Sequence, residues 1–238
     1  MKNIKSKNGY ALTLFVILLP LFLSIFLGFM FFSGIILEFT KSDSDCFKKQ
    51  LELQLYAQSQ AQKLLSWNTK STLYRTQKAK AQRKWNEAFY SNDRLGMDLA
   101  EKKLSKIQLQ QITLDINQKE LLTETKNIIH QKSENINRDL SSSKYPFLNS
   151  LNPWITYNSQ SKILEIPIFD LTAQDSDLAP IYERSLDFST RQKLALEWHI
   201  EFQVQPILGD FEKFKTHFNR ICATTLIEKD KKWIPIIL

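Results

Sequence analysis

Twenty-seven consecutive residues without a charge, Ala11 to Leu37, constrain this chain more than any other feature. About 20 apolar residues of helix cross the hydrocarbon core of a bilayer, and this run is longer. It therefore predicts a transmembrane helix over residues 10–39, with tilt or a kink to absorb the excess. Pro20 is the expected kink, because it removes one helical donor. The alternative is a cleaved secretory signal, whose apolar region would be about 7–15 residues followed by a small-x-small site. The run is too long for that, and Glu38-Phe39-Thr40-Lys41 offers no such site.

Charge gives the expected orientation. Lys2, Lys5 and Lys7 lie in a short leader, residues 1–9, and positive flanks are held in the cytoplasm. The reading is a single-pass protein of a bacterial inner membrane, N-terminus cytoplasmic and body periplasmic. The net charge of +7 is unevenly spread. Residues 41–145 carry 19 basic and 12 acidic residues, whereas residues 146–238 carry 10 basic and 12 acidic, so two differently composed parts follow the anchor.

Residues 40–144 read as a helical stalk. Cys46 to Tyr90 holds no Gly or Pro, Ser91-Asn92-Asp93 supplies turn and N-cap residues, and helix resumes to Leu140 before Ser141-Ser142-Ser143 and Pro146. Two arms of about 45 residues, each reaching roughly 65–70 Å, predict an antiparallel helical hairpin. In the second arm Leu104, Ile107, Gln111, Leu114, Gln118, Leu121, Thr125 and Ile128 form a heptad-like stripe interrupted by polar members. Leu109, Ile112 and Ile116 form a second stripe beside it. So thin a seam is marginal alone and would gain from packing on other copies, other proteins or the C-terminal region.

Residues 145–238 read as a small α+β domain of three to five strands. Trp154–Tyr157 and Lys162–Ile168 predict a β-hairpin around Asn158-Ser159-Gln160-Ser161. Leu194, Leu196, Trp198, Ile200, Phe202 and Val204 alternate with polar residues and predict a half-buried strand. Phe211, Phe214 and Phe218 after Asp210 predict a short amphipathic helix, and Thr224–Leu238 a closing hairpin. The fold class expected overall is α+β.

Signals for chemistry are sparse. His130, His199 and His217 lack metal-ligand spacing, the five glycines form no phosphate loop, and no nucleophile elbow occurs. Glu197, His199 and Glu201 share a strand face, which an exposed polar face explains as well as a site does. Neither an enzyme nor a cofactor is expected. Cys46 and Cys222 could pair in an oxidising periplasm or stay separate thiols. Between Glu52 and Glu87 there is no acidic residue, while Lys63, Lys70, Arg75, Lys78, Lys80, Arg83 and Lys84 occur. These are candidate contacts for an anionic partner, with a solvated helix face as the simpler account and nucleic acid disfavoured.

The leader and anchor together carry a resemblance. Asn8-Gly9-Tyr10-Ala11, the apolar run to Leu18-Leu19-Pro20, and the continuation Leu51 to Ala61, rich in Leu, Gln and Ala, resemble the start of Tad-type (Flp pilus) TadE/TadG-like pilus assembly proteins. The resemblance covers about the first 60 residues. It implies a processing site between Gly9 and Tyr10, and partners among pilus or secretion proteins, with self-association. Leu14 stands where such precursors usually carry Glu. The function it implies is a non-enzymatic, membrane-anchored component of a Tad-like pilus or related secretion assembly. A membrane-tethered periplasmic coiled-coil adaptor or spacer is the alternative.

Overall fold

The computed structural model describes residues 7–142, 144–183, 191–204, 214–229 and 232–238. The chain is mostly helical, with a small antiparallel sheet at one side. Helix α1, Lys7–Ser66, runs unbroken for 60 residues from the apolar segment into the polar one. Pro20 lies inside it without ending it. The helix stops at Trp67 and restarts as α2, Asn68–Tyr90, although no Gly or Pro marks the spot. At the restart the Asn68 side chain is tied across to Tyr182. Its amide donates to Tyr182 O at 2.7 Å and accepts from Tyr182 N at 2.9 Å, as a paired strand residue would.

Asn92 turns the chain in the left-handed region, φ 60°, which a short polar side chain tolerates. Asp93 then caps α3, Arg94–Ser141, by accepting from Gly96 N at 3.0 Å. The helix runs back along its predecessors. Gly96 meets Ala88, Lys132 lies over the Tyr56 ring, and Asp139 pairs with Lys49 at 2.5 Å. At 1.5 Å per residue, the 48 residues of α3 extend about 72 Å.

A five-residue helix, α4, Pro146–Ser150, leads into the strands. These are β1, Ile155–Glu165; β2, Thr172–Ala173; β3, Tyr182–Glu183; β4, Leu194–Val204; β5, Phe214–Lys229; and β6, Lys232–Ile237. The main sheet has the order β1-β4-β5-β6, antiparallel throughout, and β2 and β3 form a separate ribbon. Pro235 sits on the edge strand β6, where a missing N–H disturbs no ladder.

Two local expectations are corrected here. Residues 154–168 do not form a hairpin; 155–165 of them make one long strand, β1, paired with β4. The stretch Asn158–Ser161 has no residue that forces a turn, and its alternate hydroxyls have partners. Ser159 Oγ donates to Leu140 O at 3.2 Å and Ser161 Oγ to Asn137 O at 2.6 Å, so these polar side chains satisfy carbonyls in the last turn of α3. The helix expected around Phe214 and Phe218 is strand β5 instead, because continuous cross-strand pairing with β4 from Phe214 to Thr224 outweighs the helical spacing of the phenylalanines. Asp210 and Phe211 of that expectation lie outside the described residues.

The sheet lies on α1 and α3, and one core runs through all three. It includes Cys46, Leu53, Ala57, Ala61 and Leu64 from α1, Ile129, Ile136 and Leu140 from α3, and Leu194, Leu196, Trp198 and Ile200 from β4.

Candidate functional site

Three features carry information about function: the apolar helix end, the junction that fastens the sheet to it, and the basic distal helices. From Leu14 to Leu27 every residue of α1 is exposed, on all faces of the helix. Such a surface in water would bind to itself or to lipid. Towards the end of the apolar run the exposure becomes one-sided: Phe32, Ile36 and Leu37 stay exposed. Ile35 and Phe39 are buried, and a Cβ on Gly34 would lie 2.6 Å from the Phe147 ring. The last turns of the run are thus shielded on one face by α4 and the sheet. Ala11 to Met30 remain, 20 helical residues of about 30 Å, the thickness of a hydrocarbon core. The surplus length that suggested a tilted span packs one of its faces, with Ile35, on the body of the protein. Gly9 and Tyr10 lie in the first turn of α1.

At the junction, Phe39 projects from α1 into a ring of aromatics: Tyr145 at 6.3 Å, Trp198 at 5.8 Å, Phe202 at 5.9 Å and Phe218 at 5.4 Å between centroids. Two turns further on, Cys46 is joined by a disulfide to Cys222 of β5, their Cα atoms 6.5 Å apart. Gln50 follows, its Nε2 donating to Cys222 O at 3.2 Å, and then Gln54, whose Nε2 donates to Gln192 O at 2.6 Å. Gln192 in turn donates to Ile168 O at 2.6 Å. These buried amides hold strand and loop carbonyls that would otherwise be orphaned in the core. Burial pushes the Asp43 carboxyl above the usual carboxylate range, against the opposing pull of Arg220 and the Trp198 indole.

Along the distal half, α3 buries Ile107, Gln111, Leu114, Gln118, Leu121 and Thr125. Gln118 Nε2 donates to Pro180 O at 3.1 Å, so this interrupted stripe is a polar-capped seam. Leu109, Ile112 and Ile116 lie on the opposite side of α3 and are exposed.

The basic residues of α2 divide into two groups. Arg75 holds Asp175 with two hydrogen bonds, at 2.6 and 2.7 Å. Lys78 lines the same groove, together with Asp177. By contrast Lys70, Lys80, Arg83 and Lys84 are exposed and carry no ion pair among the described residues. The Arg75 guanidinium holds the Asp175 carboxyl below its ordinary range. The stability this pair contributes is therefore complete above the usual Asp value of about 3.9 and is lost as pH falls through the lower, folded-state value. Arg75→Ala and Asp175→Asn should each cost about 1 kcal/mol, and both together little more than either, as a denaturation double-mutant cycle at neutral pH would read.

The outer sheet face gathers His199, Glu201, Lys215 and His217 around a shallow cleft of about 350 Å³. Lys215 pairs with Glu201 at 3.6 Å, and no group able to hold a metal ion occurs among the described residues. Glu197 and His199 are only half-buried, as a polar outward strand face would be. No protein-family model, no curated protein and no solved structure matches the chain.

Proposed function

We propose that this chain is a non-enzymatic, membrane-anchored assembly component, of the kind found in a Tad-like pilus or a related secretion system. It acts by packing its anchor and its helical stalk on partner proteins. The observation that carries the reading is the continuity of α1, one helix that is exposed and apolar at its start and is the spine of the body at its end. A force or rotation on the anchor passes directly to the sheet through Phe39 and the Cys46–Cys222 bond.

In this reading the chain crosses a bacterial inner membrane once, with the lysine-bearing leader in the cytoplasm and the body in the periplasm. The disulfide supports that side, since such bonds persist in oxidising compartments. The antiparallel hairpin of α2 and α3 is the stalk, and Leu109, Ile112 and Ile116 are apolar contacts left on its outer face. A second reading, a tethered periplasmic adaptor or spacer unrelated to pili, is favoured by the exposed cations Lys70, Lys80, Arg83 and Lys84 partway up that stalk.

Two measurements separate these readings. Immunoprecipitation of the full-length protein from solubilised membranes should recover pilus or secretion subunits; recovery of none would count against the assembly reading. N-terminal sequencing of the mature chain should find Tyr10 if a pilin-type peptidase acts after Gly9, and Met1 if the chain is a plain anchor.

A further inference from the structure

The four-stranded sheet has an unfinished edge. β5 extends from Phe214 to Lys229, but β6 pairs only with Thr224–Lys229. Beyond it, Leu238 N donates to Ala223 O at 2.9 Å. Ala223 thus turns its backbone groups toward β6, away from β4. Successive strand residues turn these groups to alternate sides, so Ile221, Asn219, His217 and Lys215 face the same way as Ala223. No strand meets those four among the described residues. At the other edge, Ile155 N points away from β4 to Leu151 O at 3.1 Å. Tyr157, Ser159, Ser161 and Ile163 follow its direction and likewise have no strand beside them among the described residues.

The register sets these two edges at one height. Ile155 is opposite Val204, itself opposite Phe214; Ile163 is opposite Leu196, itself opposite Cys222; Glu165 is opposite Ala195, itself opposite Ala223. β1 therefore spans the rungs that β6 leaves open, and its bulge between Ile163 and Glu165 falls where β6 begins. β1 and β5 are both antiparallel to β4 and so run in the same direction. That direction is also that of α1, since Phe218 packs on Phe39 and Cys222 on Cys46.

We propose that copies of this chain join side by side, β1 of one copy entering the notch beneath β6 of the next and pairing in parallel with Phe214–Cys222. The inference rests on the anchored reading, because a shared membrane gives neighbouring copies the same height and direction. Two β5 edges related by a twofold axis would pair antiparallel, and one of the two anchors would then point away from the membrane holding the other. Such a contact is head-to-tail, leaves one open edge at each end, and propagates as a row or closes as a ring.

Cross-linking in native membranes tests this. Gln160, His199 and Asn219 share one rung, and Gln160 and Asn219 are exposed on the outer face. Full-length chain carrying Gln160→Cys and Asn219→Cys should give, on mild oxidation, a ladder of dimers, trimers and higher multiples. A Thr156→Cys, Ile221→Cys chain, whose sites lie six rungs apart or about 20 Å, should not. Adding His217→Pro to the first pair removes one outward N–H at an edge that tolerates it. The ladder should then fall about tenfold, the worth of one or two interstrand hydrogen bonds. The Cys46–Cys222 bond, read by mobility shift, should persist and show that the variant is folded. Monomers alone from the matched pair, dimers from Asn219→Cys by itself, or an adduct to a protein of another mass would each overturn the proposal. Carbonate extraction of the same membranes reports on the anchor independently, so its failure is distinguishable from failure of the edge contact.

Discussion

Replacing Phe22 and Phe26 by arginine is expected to release the chain from the membrane. The two positions are four residues apart, on one face near the middle of the 20-residue apolar segment, and they are 63% and 59% exposed. Neither touches the body, so the substitutions leave the sheet and its junction unchanged. Each arginine at the centre of a span costs about 2.5–3.5 kcal/mol on the insertion scale, and each lost phenylalanine adds a few tenths. The pair should therefore cost about 6–8 kcal/mol, four to five orders of magnitude in partitioning. Wild-type chain should stay in the pellet after carbonate extraction, and the double variant should move to the supernatant. Chain retained in the cytoplasm should also lack the Cys46–Cys222 bond, visible on a non-reducing gel. A double variant that stays carbonate-resistant would remove the basis for calling this helix an anchor.

The limits of the span show where the sequence is legible and where it is not. The apolar run is visible from composition alone, but its end is not. Ile35 and Phe39 read as lipid-facing until the positions of Phe147, Trp198 and Phe218 are known, more than 100 residues away. β4 is the opposite case: its alternation is local and complete, and the strand occupies Leu194–Val204, the span read from the sequence. The stripe on α3 lies between the two. Gln111, Gln118 and Thr125 lower its hydrophobic score, yet they are buried at the positions the spacing gives. Gln118 donates to a carbonyl 62 residues on, a long-range contact that no window along the chain contains. β5 fails for a related reason. Phe214 and Phe218 fit a helical period as well as a strand period, and the choice is made by β4 beside them.

For the candidate site, residue types were legible and their fates were not. Seven basic residues between Glu52 and Glu87 read as one cationic stretch. Helical geometry turns some of them toward the 175–178 loop, where Arg75 is neutralised, and others toward solvent. The unfinished β5 edge leaves no mark in the sequence at all, since it depends on the relative lengths of β5 and β6.

The junction itself makes the second large prediction. Phe39→Ala removes a ring that is 4% exposed and in contact with four aromatic side chains from three other parts of the chain. Truncation of a fully packed phenylalanine costs about 3–5 kcal/mol, the lost transfer energy plus the cavity left behind. Here the cavity opens between α1 and the sheet, so the loss falls on the docking of the two layers. Denaturation of the detergent-solubilised protein, followed by tryptophan fluorescence, should show the midpoint drop. Leu37→Ala, two residues away but 70% exposed, should leave that transition where it is. Removing the disulfide, which closes a separation of 176 residues, should cost about 2–5 kcal/mol by itself. The two losses should not add, because both fasten α1 to β5 within two helical turns and either break frees part of what the other holds. A Phe39→Ala cost below about 1 kcal/mol would mean that the aromatic ring does not carry the junction. The Gln50 and Gln54 hydrogen bonds to β5 and its neighbour would then be what keeps the sheet on its helix.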